Sequence, residues 1–166
     1  MAETISFTRG APRDQIYSEL VPQLRDLVKG EPDVTANLAN IAAALKEAFG
    51  FLWIGFYLLK KGELVLGPFQ GPVACTRIEV GKGVVGTAFE KAETLIIPNV
   101  DEFPGHIACS ADSRSEIVVP VYGKPKKPKG VLDIDSNLLH DFTEVDSRGL
   151  VEVCEVVREV LTGENV

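Results

Sequence analysis

The chain predicts an α+β fold in which helices near the two ends pack on one face of a roughly six-stranded antiparallel sheet. Three observations carry that expectation. Apolar residues recur at helical spacing at the start and again at the end of the 166 residues. Between them lie short runs rich in β-branched and aromatic residues. Those runs are separated by Gly, Pro and Lys-Gly turn signals rather than by further long helical stripes.

Taken in order, residues 12 to 29 read as a helix. Ile16, Leu20, Leu24 and Leu27 form its stripe and Gly30 its stop, with a kink or break expected at Pro22. A second helix runs from about Asp33 to Phe49, with Leu38, Ile41, Ala42, Leu45 and Phe49 on one side and Gly50 as its C-terminal punctuation. FLWIGFYLL (51–59), ELVLGPF (63–69) and VACTRIEV (73–80) then read as strands, the first two joined by a Lys60-Lys61-Gly62 hairpin. A weak helix is expected over 84–91, and short strands over 94–98, 116–122 and 129–135. Thr143 caps a final helix whose stripe is Leu150, Val153, Cys154, Val157 and Leu161, closed by Gly163. No internal repeat or linker interrupts the order, so residues 1–166 are expected to form a single domain, a length that supports one sizeable core.

Composition narrows the function. The formal net charge is −7, a field that repels phosphate backbones and anionic lipid, so neither nucleic acid nor a membrane is an expected partner. The one basic cluster, Lys124 to Lys129, is interleaved with prolines and reads as a solvated turn. The longest strongly apolar stretch, Phe51 to Leu59, is far too short to span a bilayer. No basic-then-apolar leader is visible, so the cytosol is the expected compartment, where disulfides are usually transient and catalytic. The chain holds 3 cysteines and 2 histidines, without CxxC or metal-ligand spacing, so no metal centre is expected.

The candidate chemistry gathers between Cys75 and Asp135. Cys154 sits on the apolar stripe of the last helix and reads as a small buried hydrophobe. Cys75 falls in a strand beside polar neighbours, and Cys109 in the aperiodic, small-residue segment HIACSADSRS, the composition of functional loops. Each alone reads most simply as a partly buried thiol. Together, 34 residues apart, they open the alternative that the intervening chain folds back and joins the sulfurs, which would stabilise by roughly 3–4 kcal/mol. In VLDIDS, Asp133 and Asp135 share one strand face, and in SEIVVP Glu116 shares a face with Val118. The plain reading is a solvated face. Asp is disfavoured in strands, however, and if both strands lie in one sheet the three acids converge on a surface suited to a cation. Trp53 and Tyr57 share a face of the first strand, as core aromatics or as the wall of an apolar pocket.

HIACxxxSxSEIVxP followed by GVLDIDS, with FLWIGFYLL and LGPFQGPVACTRI before it, resembles the free methionine-(R)-sulfoxide reductases, single-domain enzymes on the GAF fold. The likeness runs from Tyr17 through the C-terminal helix. It implies reduction of free L-methionine-(R)-sulfoxide, with Cys109 as the attacking thiolate and Cys75 as the resolving cysteine of an intramolecular disulfide. It implies Glu116, Asp133 and Asp135 as substrate-binding acids, with Glu116 favoured as proton donor, and Trp53 and Tyr57 as the pocket wall. No resident cofactor is implied, only a thioredoxin-like dithiol as external reductant, and homodimerisation through the terminal helices is compatible with such a fold. Val85 stands where many members carry a third cysteine, which leaves Cys75 to resolve alone. Two other readings stay open: a GAF-type sensor that binds a small molecule without transforming it, and a thiol-based redox sensor. The cysteine pair favours the enzyme over the first.

Overall fold

A computed structural model describes residues 3–166. The element order is α1 (Arg13–Val28), α2 (Val34–Phe49), β1 (Trp53–Lys60), β2 (Glu63–Gln70), β3 (Arg77–Glu79), α3 (Gly83–Lys91), β4 (Leu95–Ile97), a short 3-10 turn (Val100–Glu102), β5 (Ser115–Tyr122), β6 (Pro128–Ser136) and α4 (Glu144–Thr162). The six strands form one antiparallel sheet in the order β3-β2-β1-β6-β5-β4. Because β1, β6 and β5 lie at its centre, their two faces are both covered, and strand alternation divides their side chains between two cores.

One face carries Ile54, Phe56, Ile117, Val119, Val121, Leu132 and Ile134, which join the apolar stripes of α1, α2 and α4 in the larger core. The other carries Trp53, Tyr57, Val118 and Val131, which pack with Ile78 and with Val84, Val85 and Ala88 of α3. The terminal helices thus share one face, as the sequence predicts, and α3 covers the opposite one. Each helix end is explained locally. Asp33 caps α2 through Ala36 N–H, and Gly50 ends it in the left-handed conformation. At α4 the Thr143 hydroxyl accepts from Val145 N–H while the Asp146 carboxylate accepts from Thr143 N–H.

Two expectations are corrected. Pro22 does not break α1 into two pieces or end it: the helix runs unbroken from Arg13 to Val28. Pro22 lies on the solvent side, where water can satisfy the carbonyl its ring leaves without a donor, and in the same turn Gln23 Nε2 donates to the Glu19 carbonyl. The strand expected over 73–80 shrinks to Arg77–Glu79, so Cys75 lies in an irregular segment and not in a strand. Pro72 has no N–H for the ladder, and the segment's carbonyls are taken up by side chains from β1 instead.

Candidate functional site

The site forms on the α3 side of the sheet, and register builds it. Glu116 on β5 is paired with Asp135 on β6, which is paired in turn with Trp53 on β1. One pleat along, Asp133 lies opposite Gly55 on β1 and Val118 on β5. The three acids therefore share a face, as expected, and oxygen atoms from all three lie within 4.8 Å of one another. Such a spacing suits one small cation, an ammonium or a hard metal ion held by carboxylates. Glu116 and Asp133 are buried, 5% exposed each, and Asp135 is half-buried.

Burial sets the electrostatics. It pushes Glu116 up to about 8, with Asp135 adding to the rise and a hydrogen bond to Asp133 opposing it. Asp133 is held well above the carboxylate range, first by burial and then by the charge and hydrogen bond of Glu116. Burial thus favours the neutral form of both Glu116 and Asp133. Asp135 is raised by burial and then by Asp133, while the Ser113 hydroxyl, which donates to its Oδ1 at 2.8 Å, favours the charged form. One oxygen stands out: Asp133 Oδ1 is buried with no hydrogen-bond partner, an orphan acceptor that a bound donor would satisfy.

The aromatics do more than wall a pocket. The Trp53 ring lies along the sheet, stacked between Tyr57 and Phe69 at centroid distances of 6.0 and 5.3 Å. Gly55 makes room for it, since a Cβ there would strike the Trp53 ring and lie 2.5 Å from Phe69 Cβ. The Trp53 indole donates to the Pro72 carbonyl at 3.1 Å and the Tyr57 hydroxyl to the Cys75 carbonyl at 2.8 Å. Together they tie the irregular segment to the sheet. Burial, and then the neighbouring acids Asp133, Asp135 and Glu116, raise the Tyr57 phenol further above its usual value, so it remains a donor.

Cys75 and Cys109 are joined in a disulfide with Cα atoms 5.4 Å apart, so the fold-back opened by their spacing is realised. Cys109 borders a cavity whose floor is Glu116, Asp133 and Asp135 and whose sides include Trp53, Tyr57 and Ile78. Gly83, Val84 and Val85 at the start of α3 close another side. That helix has no side-chain cap at its N-cap residue Lys82, and Lys82 to Val85 line the cavity, which puts the positive end of the helix dipole at the cavity wall. Cys154 is buried and free, its thiol pushed up by burial and then by Glu155, as its place in the helix stripe implies.

All seven sequence-predicted residues (Cys75, Cys109, Glu116, Asp133, Asp135, Trp53 and Tyr57) come together here. Sequence reasoning missed Ser113 and His106. Ser113 is buried behind Asp135, and its only signal was a small polar residue two before another serine in a functional-looking loop. His106 lines the cavity near Cys109. Burial lowers its pKa against the opposing pull of Asp101, leaving it a neutral imidazole.

A family model described as GAF domain matches residues 31–162, and the chain belongs to the GAF-domain family. Within it, "GAF domain-containing protein A" of Dictyostelium discoideum is 51% identical over 158 residues, 95% of this chain and 99% of that protein. "Free methionine-R-sulfoxide reductase" of Escherichia coli is 45% identical over 150 residues, 90% of each chain. The solved structure of a free methionine-R-sulfoxide reductase from Neisseria meningitidis, in complex with its substrate, superposes with a TM-score of 0.94 at 45% identity, covering 99% of this chain and 100% of that one. At this identity and coverage the chain is a member of the free methionine-R-sulfoxide reductase family.

Proposed function

We propose that this protein reduces free L-methionine-(R)-sulfoxide to methionine through a thiol–disulfide cycle. One observation supports the reading above all: a disulfide-forming cysteine borders a small cavity floored by three buried acids. The cavity is polarised like the zwitterion it would hold. Its acidic floor and the orphan Asp133 Oδ1 suit an ammonium, and the uncapped start of α3 suits a carboxylate. Trp53 and Tyr57 would pack against the thioether chain between them.

In the reduced protein the Cys109 thiolate attacks the sulfoxide sulfur while the oxygen takes a proton from Glu116, whose carboxyl burial pushes up to about 8 beside Asp133. Glu116 is the proton donor in this reading, and Asp133 and Asp135 hold the ammonium. A bond forms between Cys109 Sγ and the substrate sulfur as the S–O bond breaks and the oxygen departs as hydroxide. That hydroxide then attacks Cys109 Sγ, the bond to the substrate sulfur breaks, and methionine leaves with Cys109 as a sulfenic acid. The Cys75 thiol then displaces that oxygen as water, closing the disulfide seen here. Two electrons have passed from the thiols to the sulfoxide, and a thioredoxin-like dithiol returns them. Val85, also on the cavity wall, brings no third thiol, so Cys75 resolves alone and no resident cofactor enters the cycle.

The test is consumption of free methionine-(R)-sulfoxide with dithiothreitol. Cys109→Ser should abolish it. With no reductant added after pre-reduction, Cys75→Ser should release one methionine per chain and leave a sulfenic acid at Cys109 that dimedone captures. Unaltered turnover in Cys109→Ser would overturn the assignment, and a cavity that binds the sulfoxide without consuming it would mark a sensor.

A further inference from the structure

The two ends of the disulfide are not equivalent. Cys109 borders the cavity and Cys75 does not. Cys75 sits on the outer segment 71–76, whose backbone Trp53 and Tyr57 pin to the sheet. Two residues before Cys75, Val73 is 88% exposed, the most exposed of the described large apolar side chains. Two residues before Cys109, Ile107 is 39% exposed, with its remaining surface turned to Gly83, whose position for a Cβ lies 3.0 Å from Ile107 Cδ1. An apolar pair beside a half-buried disulfide is the kind of surface a protein reductant covers while it reaches one sulfur.

We propose that a thioredoxin-like dithiol protein docks over Val73 and Ile107 and attacks the sulfur of Cys75, not that of Cys109. The inference rests on the reading of the disulfide as a redox centre. Thiolate attack runs in line with the S–S bond, so the nucleophile approaches each sulfur from the side away from the other. Cys109 borders the cavity, crowded there by the acidic floor and the start of α3, whereas Cys75 is outside that lining, on a segment whose Val73 stands exposed at the cavity rim. The reductant's thiolate bonds to Cys75 Sγ, the Cys75–Cys109 bond breaks, and Cys109 leaves with the electron pair as a thiolate already facing the substrate cavity. The reductant's second thiol then attacks the mixed disulfide, closes its own disulfide, and frees Cys75 as a thiol.

The test uses a monothiol thioredoxin, its resolving cysteine replaced by serine, incubated with the oxidised full-length chain and mapped by peptide mass spectrometry. A mixed disulfide on Cys75 is expected. An adduct on Cys109, or none while dithiothreitol reduces the same sample, overturns the proposal. In parallel, Val73→Asp should slow disulfide reduction by intact thioredoxin about tenfold, a charge at the centre of an apolar contact. It should leave reduction by dithiothreitol within about twofold. Equal rates with thioredoxin, or equal slowing with both reductants, overturn the docking face. Neither assay contains sulfoxide, so failure here is separate from failure of the substrate reading, which would show as no consumption of methionine sulfoxide with dithiothreitol.

Discussion

Replacing Glu116 by Gln should make the protein more stable and less active, and the pH at which the stability appears is fixed by the site. Glu116 has an ordinary value of 4.5 and is pushed up to about 8 in the fold, chiefly by burial. Below about pH 4.5 the group is protonated in both folded and unfolded chains and contributes nothing. Between the two values the folded chain holds a proton that the unfolded chain has released, so stability falls as pH rises. Above the folded value both are ionised and the full cost stands. At pH 7 the gap amounts to about 2.5 units at about 1.4 kcal/mol each, a cost of about 3 kcal/mol. Glutamine keeps the shape and never ionises. Urea unfolding of the oxidised parent and Glu116→Gln should coincide at pH 4 and diverge towards pH 8, with the variant's midpoint higher by roughly 1–2 M at pH 7. Turnover should meanwhile fall on the order of a hundredfold, the contribution of one placed proton donor. A stability gain equal at pH 4 and pH 8, or no gain at all, would refute the claim that this carboxyl is buried in its neutral form.

Three further outcomes follow from the same geometry. An ammonium bound at the acidic floor should displace a proton that burial holds on Glu116, so calorimetric binding of methionine, the reaction product, to the oxidised chain at pH 7 should show an enthalpy that changes with the buffer's ionisation enthalpy. An enthalpy independent of buffer would contradict it. Tyr17→Phe removes the hydroxyl that donates to buried Asp146 at 2.8 Å and should lower unfolding stability by roughly 1–3 kcal/mol, the cost of one orphaned buried acceptor. Equal urea midpoints would show that the contact is idle. Gly55→Val should displace the Trp53 ring and with it the bond to Pro72, loosening the segment that carries Cys75. The sulfenic acid at Cys109 should then persist longer before the disulfide closes, as followed by dimedone trapping after rapid mixing, and unchanged closure would argue against the anchor.

What was legible in the sequence was periodic. The alternation in SEIVVP and VLDIDS placed Glu116, Asp133 and Asp135 on one face of their strands, and β5–β6 pairing set them side by side. The stripes of α1, α2 and α4 were read correctly because each contributes residues to the larger core. What stayed hidden was set by contacts between distant segments. VACTRIEV has the composition of a strand, yet its first half is held by Trp53 and Tyr57 through carbonyl bonds that no local pattern encodes. Pro22 reads as a breaker, yet it falls on the one side of α1 where its missing donor costs little. The network of Arg13, Tyr17, Asp141 and Asp146, which ties α1 to the start of α4, joins residues almost the whole chain apart. Its members look like ordinary surface charges until the fold brings them together. Among the described residues no helix is long and apolar enough to cross a membrane, in keeping with the short apolar runs of the sequence.

The central claim is that the acidic floor recognises the ammonium of a free amino acid, and substrate choice tests it most directly. A methionine sulfoxide within a peptide brings no ammonium, so part of the charge held by Glu116, Asp133 and Asp135 stays unpaired, at a cost on the order of 3–5 kcal/mol. Measured side by side with dithiothreitol, free L-methionine-(R)-sulfoxide should exceed its N-acetylated amide in kcat/KM by at least a few hundredfold. Comparable values for the two would contradict the account.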